Sequence, residues 1–82
     1  MKFRSPSKRV LRRIKKWRLE KKWQKAVSLF LSNSKYPSLN VELMEPKHHG
    51  VYSFRLDRNY RALYFIDGDE IEIVQITKHY KK

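Results

Sequence analysis

The chain contains no cysteine. That absence excludes disulfide staples, thiolate nucleophiles and cysteine-based zinc sites. Three histidines, two of them adjacent at His48 and His49, make no metal-binding constellation, so neither a metal nor another cofactor is expected. No apolar run approaches the roughly 20 residues that span a bilayer, and the charged first residues lack the apolar core of a secretory signal. A cytoplasmic protein with no membrane partner is the resulting expectation. Internal repeats and low-complexity linkers are also missing, so one domain over residues 1–82 is expected. A chain this short buries only about 60 to 65% of its unfolded surface, which demands a compact core and leaves a small stability margin.

Acidic side chains are scarce where basic ones are dense. The sequence holds 20 Lys plus Arg against 8 Asp plus Glu, a net charge of +12. Residues 1–38 carry 13 basic side chains and one acidic, Glu20, whereas residues 39–82 hold seven of each. The whole net charge therefore sits in the first half. Such a block attracts polyanions at long range and makes binding salt-dependent, which favours nucleic acid over a small acidic metabolite.

The first residues, Met1 to Arg4, read as an edge strand, and Ser5-Pro6-Ser7 supplies an N-cap with proline at a permitted first-turn position. Val10, Leu11, Ile14 and Trp17 then recur at helical spacing, with Arg9, Arg12, Arg13, Lys15 and Lys16 on the remaining surface. The pattern restarts at Trp23, Ala26, Val27, Phe30 and Leu31 and stops at Ser32-Asn33-Ser34. One helix or a hairpin of two both fit this spacing. The tryptophans lie at apolar positions, so packing in the core is expected of them rather than base stacking.

Beyond Tyr36-Pro37-Ser38, residues Leu39, Val41 and Leu43 alternate as a short extended segment ahead of a loop, Met44 to Gly50. The second half then carries two hairpin signals. Tyr52, Phe54 and Leu56 share one strand face and Arg55 the other, and YRALYFI follows after the short polar link Asp57-Arg58-Asn59. If those three residues form the loop, Leu56 pairs with Tyr60 and Arg55 lies directly opposite Arg61. Two like charges so placed destabilise a sheet unless solvent or an anion relieves them, and two guanidinium forks suit a phosphate. The same pair would also fit an ordinary solvated sheet face.

Asp67-Gly68 marks the second hairpin, followed by the strand candidate EIEIVQI at 70–76. A two-residue loop places Ile71, Ile73 and eventually His79 on the face of Tyr52 and Phe54, with Lys78 and Tyr80 on the Arg61 face. A three-residue loop reverses this. With the shorter loop, His79 joins Arg61 only through a bulge. Near the sheet, Glu45, His48 and His49 are the candidate proton acceptors, apart from Glu42.

The order of basic helices, the YPSL entry and then VYSFRLDRNYRALYFIDGDEIEIVQITKHY resembles the RelE/ParE superfamily of toxins from toxin–antitoxin pairs, over essentially the whole chain. SFRLDRNYRALYF with the closing strand and TKHY carries the specific part. The resemblance implies an α+β fold in the order β-α-α-β-β-β, with two N-terminal helices on a small antiparallel sheet. It implies a ribosome-dependent endoribonuclease that cuts messenger RNA in the decoding site and is neutralised by a cognate antitoxin.

Within that resemblance, Arg61 matches the phosphate-binding arginine and Arg55 a basic position that many ribosome-dependent members use. His79-Tyr80 is similar to the terminal His-Tyr pair of the YoeB branch, and His79 also matches the C-terminal histidine of the YafQ branch, implied to be the general acid. Its unperturbed pKa of about 6.5 suits proton transfer near neutrality. Alignment with the family needs gaps from Glu45 to His49, so Glu45, His48 and His49 all stand as candidates for the base that accepts the 2′-hydroxyl proton. Arg12, Arg13, Lys16, Lys22, Arg58 and Lys78 are the expected RNA-binding set. Two departures stand out: Ser53 replaces the usual lysine two positions before Arg55, and only two residues follow Tyr80, so no tyrosine farther downstream is available. A ParE-like inhibitor of DNA gyrase and an inactive RNA-binding module are the rival expectations on the same scaffold.

Overall fold

Ser7 starts the first helix. In the computed structural model, which describes residues 2–78, its hydroxyl accepts a 3.2 Å hydrogen bond from the Val10 N–H and caps α1, Lys8–Lys16. α1 ends at Trp17 in a reversal closed by Arg18 N–H to Lys15 O and Leu19 N–H to Ile14 O, with Arg18 at φ +54°. That is a Schellman-type stop, a position that normally favours glycine. α2, Glu20–Ser32, follows at once, so two helices form with the break at Trp17 to Leu19, and Glu20, Lys21 and Lys22 already belong to the second.

Five strands form the sheet: β1 (Lys2–Phe3), β2 (Glu42–Leu43), β3 (Tyr52–Arg55), β4 (Tyr60–Asp67) and β5 (Glu70–Lys78). Their order is β1-β5-β4-β3-β2, with β1 parallel to β5 and every other pair antiparallel. The α+β architecture holds, with one addition. The extended segment around Val41 contributes its own short edge strand, β2, which pairs Glu42 with Ser53. At the other edge, Arg4 ties β1 down through the carboxylates of Asp67, Glu70 and Glu72.

The helices cover one face of the sheet. Val10 and Ile14 of α1, Ala26 and Phe30 of α2, and Leu19 between them meet Phe54, Ala62, Tyr64, Ile71, Ile73 and Ile76 in one core. Phe54 is fully buried, with Trp23 stacked on it at 6.1 Å and Phe30 tilted against it at 5.5 Å. Trp17 stacks on Tyr60 at 4.9 Å. Both tryptophans pack against the core, as their spacing predicts.

The first hairpin has the expected three-residue loop: Leu56 N–H bonds to Tyr60 O at 2.9 Å, and Arg55 is the register partner of Arg61. Asp57 holds the loop by accepting from the N–H groups of Asn59 and Tyr60 at 2.7 and 2.9 Å. The second hairpin has a two-residue loop, since Asp67 pairs with Glu70. Ile71 and Ile73 consequently face the core. A bulge then intervenes, because Tyr64 pairs with Ile73 but Leu63 with Gln75, leaving Val74 extra and 43% exposed. The bulge shifts the alternation by one, so Ile76 also points inward and Thr77 lies opposite Arg61. Lys78 pairs with Tyr60 instead of sharing the Arg61 face, which corrects the strict two-residue alternation. His79 and Tyr80 lie outside the described residues.

Candidate functional site

Arg61 lies on the sheet face opposite the helices and is nevertheless buried, with 5% exposure. Two neighbours hold its guanidinium: Nε donates to Ser53 Oγ at 2.9 Å, and one terminal nitrogen donates to Asn40 O at 2.6 Å. Asn40 closes the single helical turn Pro37–Leu39 in a left-handed conformation, φ +44°, and this turn delivers its carbonyl to the arginine. The same terminal nitrogen lies 3.6 Å from Glu42 Oε2. Three segments that are separate in sequence therefore meet on one side chain.

Electrostatics at this point are mixed. Burial is the largest influence and lowers the Arg61 pKa, the Glu42 carboxylate raises it, and Arg55 lowers it again, with a net shift downward. A guanidinium starts from so high a value that Arg61 stays cationic at any physiological pH. Arg55, its cross-strand partner, is exposed. The five N–H donors of a guanidinium exceed the two hydrogen bonds made within the described residues, so Arg61 is fixed in place with donors to spare.

Glu42 is the residue that sequence reasoning underweighted. The structure brings Glu42, not Glu45, to Arg61. The available signal was the alternation of Val41 and Leu43, which sets Glu42 on the opposite side of the strand from its apolar neighbours. Glu45 is exposed in the loop and makes no hydrogen bond or ion pair among the described residues. His48 and His49 are exposed in the turn Lys47–His49, with their rings edge to face at 4.6 Å. Ser53, where the resembling toxins usually have lysine, is fully buried and serves as the anchor of Arg61.

The expected RNA-binding residues divide into two groups. Arg12, Lys16, Arg58 and Lys78 are exposed. Arg13 and Lys22, the latter also exposed, are held by other side chains and backbone: Arg13 donates to Ile76 O at 3.1 Å and lies 5.5 Å over the Trp17 ring, tying α1 to β5. Lys22 Nζ contacts Asp57 Oδ2 at 2.6 Å, tying α2 to the first hairpin loop. Burial alone would raise the Asp57 carboxyl, but the bonds from Lys22, Asn59 and Tyr60 hold it below its usual value. A concavity of about 470 Å³, with Tyr36, Tyr52, Tyr64 and Ile66 in its wall, shares Asn40 with the arginine site. Among the described residues no cluster of three or more His, Cys, Asp or Glu could hold a metal, and no helix is long and apolar enough to cross a membrane.

The fold is that of the YoeB/ParE toxins. A YoeB/ParE toxin from Agrobacterium tumefaciens superposes with a TM-score of 0.73 at 18% identity, covering 98% of this chain and 100% of that one. The YoeB–YefM toxin–antitoxin complex from Staphylococcus aureus gives 0.69 at 21% identity over 96% and 94%, and the YoeB dimer from the same organism 0.66 at 22% over 98% of each chain. No protein-family description matches the sequence, and no curated protein is similar enough to it to count as a match.

Proposed function

We infer that this chain is the toxin of a toxin–antitoxin pair and that it cuts messenger RNA in the ribosomal decoding site. The observation that carries the reading is the buried Arg61, anchored by Ser53 and Asn40, opposed by a second arginine and flanked by the Glu42 carboxylate. The YoeB/ParE fold supports a toxin, and the YoeB–YefM complex supports an antitoxin as partner. The basic first half supplies long-range attraction to ribosomal RNA, through phosphate contacts and shape rather than base reading.

In the proposed reaction Glu42 accepts the proton of a ribose 2′-hydroxyl, whose oxygen bonds to the adjacent phosphorus. Arg61, helped by Arg55, stabilises the charge that grows on the non-bridging oxygens. The bond to the 5′-oxygen breaks, and His79 protonates the leaving oxygen, with Tyr80 beside it in sequence as a further candidate. The products are a 2′,3′-cyclic phosphate and a free 5′-hydroxyl. Every proton moves between side chains and substrate.

Primer extension on a defined message, with and without purified ribosomes, tests this reading. Cuts within the decoding-site codon that require ribosomes and disappear with His79→Ala support it. The similar Agrobacterium tumefaciens protein is a YoeB/ParE toxin, so a gyrase supercoiling assay runs alongside. Inhibited supercoiling without message cleavage would replace the nuclease with a gyrase inhibitor.

A further inference from the structure

A second basic feature adjoins the arginine site. Among the described residues, β3 has no strand on its outer side beyond Tyr52 and Ser53, which pair with β2, and a notch of about 340 Å³ opens between this edge, α2 and the turn Pro37–Leu39. Lys22, Lys25 and Arg55 stand on its walls with Ser38, while Ala26, Leu29, Leu39 and Leu56 form an apolar floor. Three cations thus surround a small concavity whose nearby carboxylate, Asp57, is already engaged by Lys22. Lys25 and Arg55 make no hydrogen bond or ion pair among the described residues.

Arg55 belongs to both places. It lines the notch, and it is the register partner of Arg61, close enough to depress the Arg61 pKa. Two arginines directly opposite each other are unfavourable in an empty sheet and become favourable when anions are shared along them. In the strand order the notch lies beyond Arg55 from Arg61, so a strand with one phosphate at Arg61 that passes Arg55 would present its neighbouring linkage to the notch. The volume is at the small end of ligand sites, suited to one nucleotide, with an apolar floor beneath its sugar or base and cations at its rim.

We propose that this notch is a second phosphate subsite, which holds the RNA linkage neighbouring the one at Arg61, with Lys25 as its principal cation. The assignment rests on the nuclease reading, because it places the Arg61 linkage first. An acidic polypeptide is the rival occupant; the continuity of the cations from Arg61 through Arg55 to Lys25 favours a polyphosphate backbone.

The test is NMR titration of the folded protein with short 2′-O-methyl oligoribonucleotides at low salt, neutralising one linkage at a time as a methylphosphonate. In the wild type two adjacent neutral linkages should each weaken binding several-fold. Lys25→Ala should abolish the penalty at one of them and keep the other, Arg61→Ala the converse, and Arg9→Ala should change neither. Lys25 is exposed, so its replacement leaves folding intact. Both penalties persisting in Lys25→Ala would overturn the subsite while leaving the Arg61 reading in place. The absence of any penalty dependent on Arg61 would remove the nuclease reading and the subsite with it. Displacement by an acidic peptide from wild type but not from Lys25→Ala, with the methylphosphonate penalties unchanged, would reassign the notch to a protein.

Discussion

Arg61 and Ser53 are joined diagonally across β3 and β4 by a 2.9 Å hydrogen bond from the guanidinium Nε to the serine hydroxyl, where water barely reaches either residue. Removing the hydroxyl leaves a charged donor buried without its partner. Ser53→Ala should therefore lower stability by about 1–3 kcal/mol, read as a shift in the urea midpoint at unchanged slope. Ser53→Lys, which restores the residue usual in the resembling toxins, should cost more at low salt than at high salt. A third cation would then crowd Arg55 and Arg61.

The Lys22–Asp57 contact predicts a pH dependence. The folded protein holds the Asp57 carboxyl below its usual value, so the stabilisation is present above the unfolded pKa of about 3.9 and is lost as pH falls through the folded one. Asp57→Asn should be less stable than wild type by about 1 kcal/mol at neutral pH, since it loses the ion pair with Lys22 and weakens the hydrogen bonds that close the hairpin. Thermal melts from pH 7 down to pH 3 should show the difference shrinking at the acid end. A difference that stays constant across that range would show that the carboxylate charge contributes nothing.

Arg18 occupies a left-handed backbone position at φ +54° that closes α1. An L side chain is strained there, whereas glycine is not. Arg18→Gly should stabilise the protein by about 0.5–1 kcal/mol despite the added freedom of the unfolded chain. The side chain is exposed, so denaturant unfolding should report the backbone effect with little contribution from lost contacts.

The sheet was legible in part, and the parts differ for physical reasons. A polar three-residue link between two alternating runs fixes a hairpin register, so the pairing of Arg55 with Arg61 follows from local sequence. The bulge at Val74 does not. The run Ile71 to Ile76 carries apolar residues on both phases, and only packing of Ile73 and Ile76 against the helices decides which residue is extra. The burial of Arg61 was hidden as well, because its cover comes from the Asn40 carbonyl and from β2, two residues long and tied to the site by tertiary contact. Glu42 reaches the arginine by that route. The loop that carries Glu45, His48 and His49 drew attention through its residue types, although the extended segment before it supplies the carboxylate.

The most direct test of the arginine-centred site is the single-turnover rate of message cleavage on programmed ribosomes by Arg61→Ala, with near-UV circular dichroism confirming a native fold. The rate should fall by about 10²–10³, the loss typical of removing one preorganised donor from a developing oxyanion. Cleavage by the folded variant within a few-fold of the wild-type rate would contradict the role assigned to Arg61.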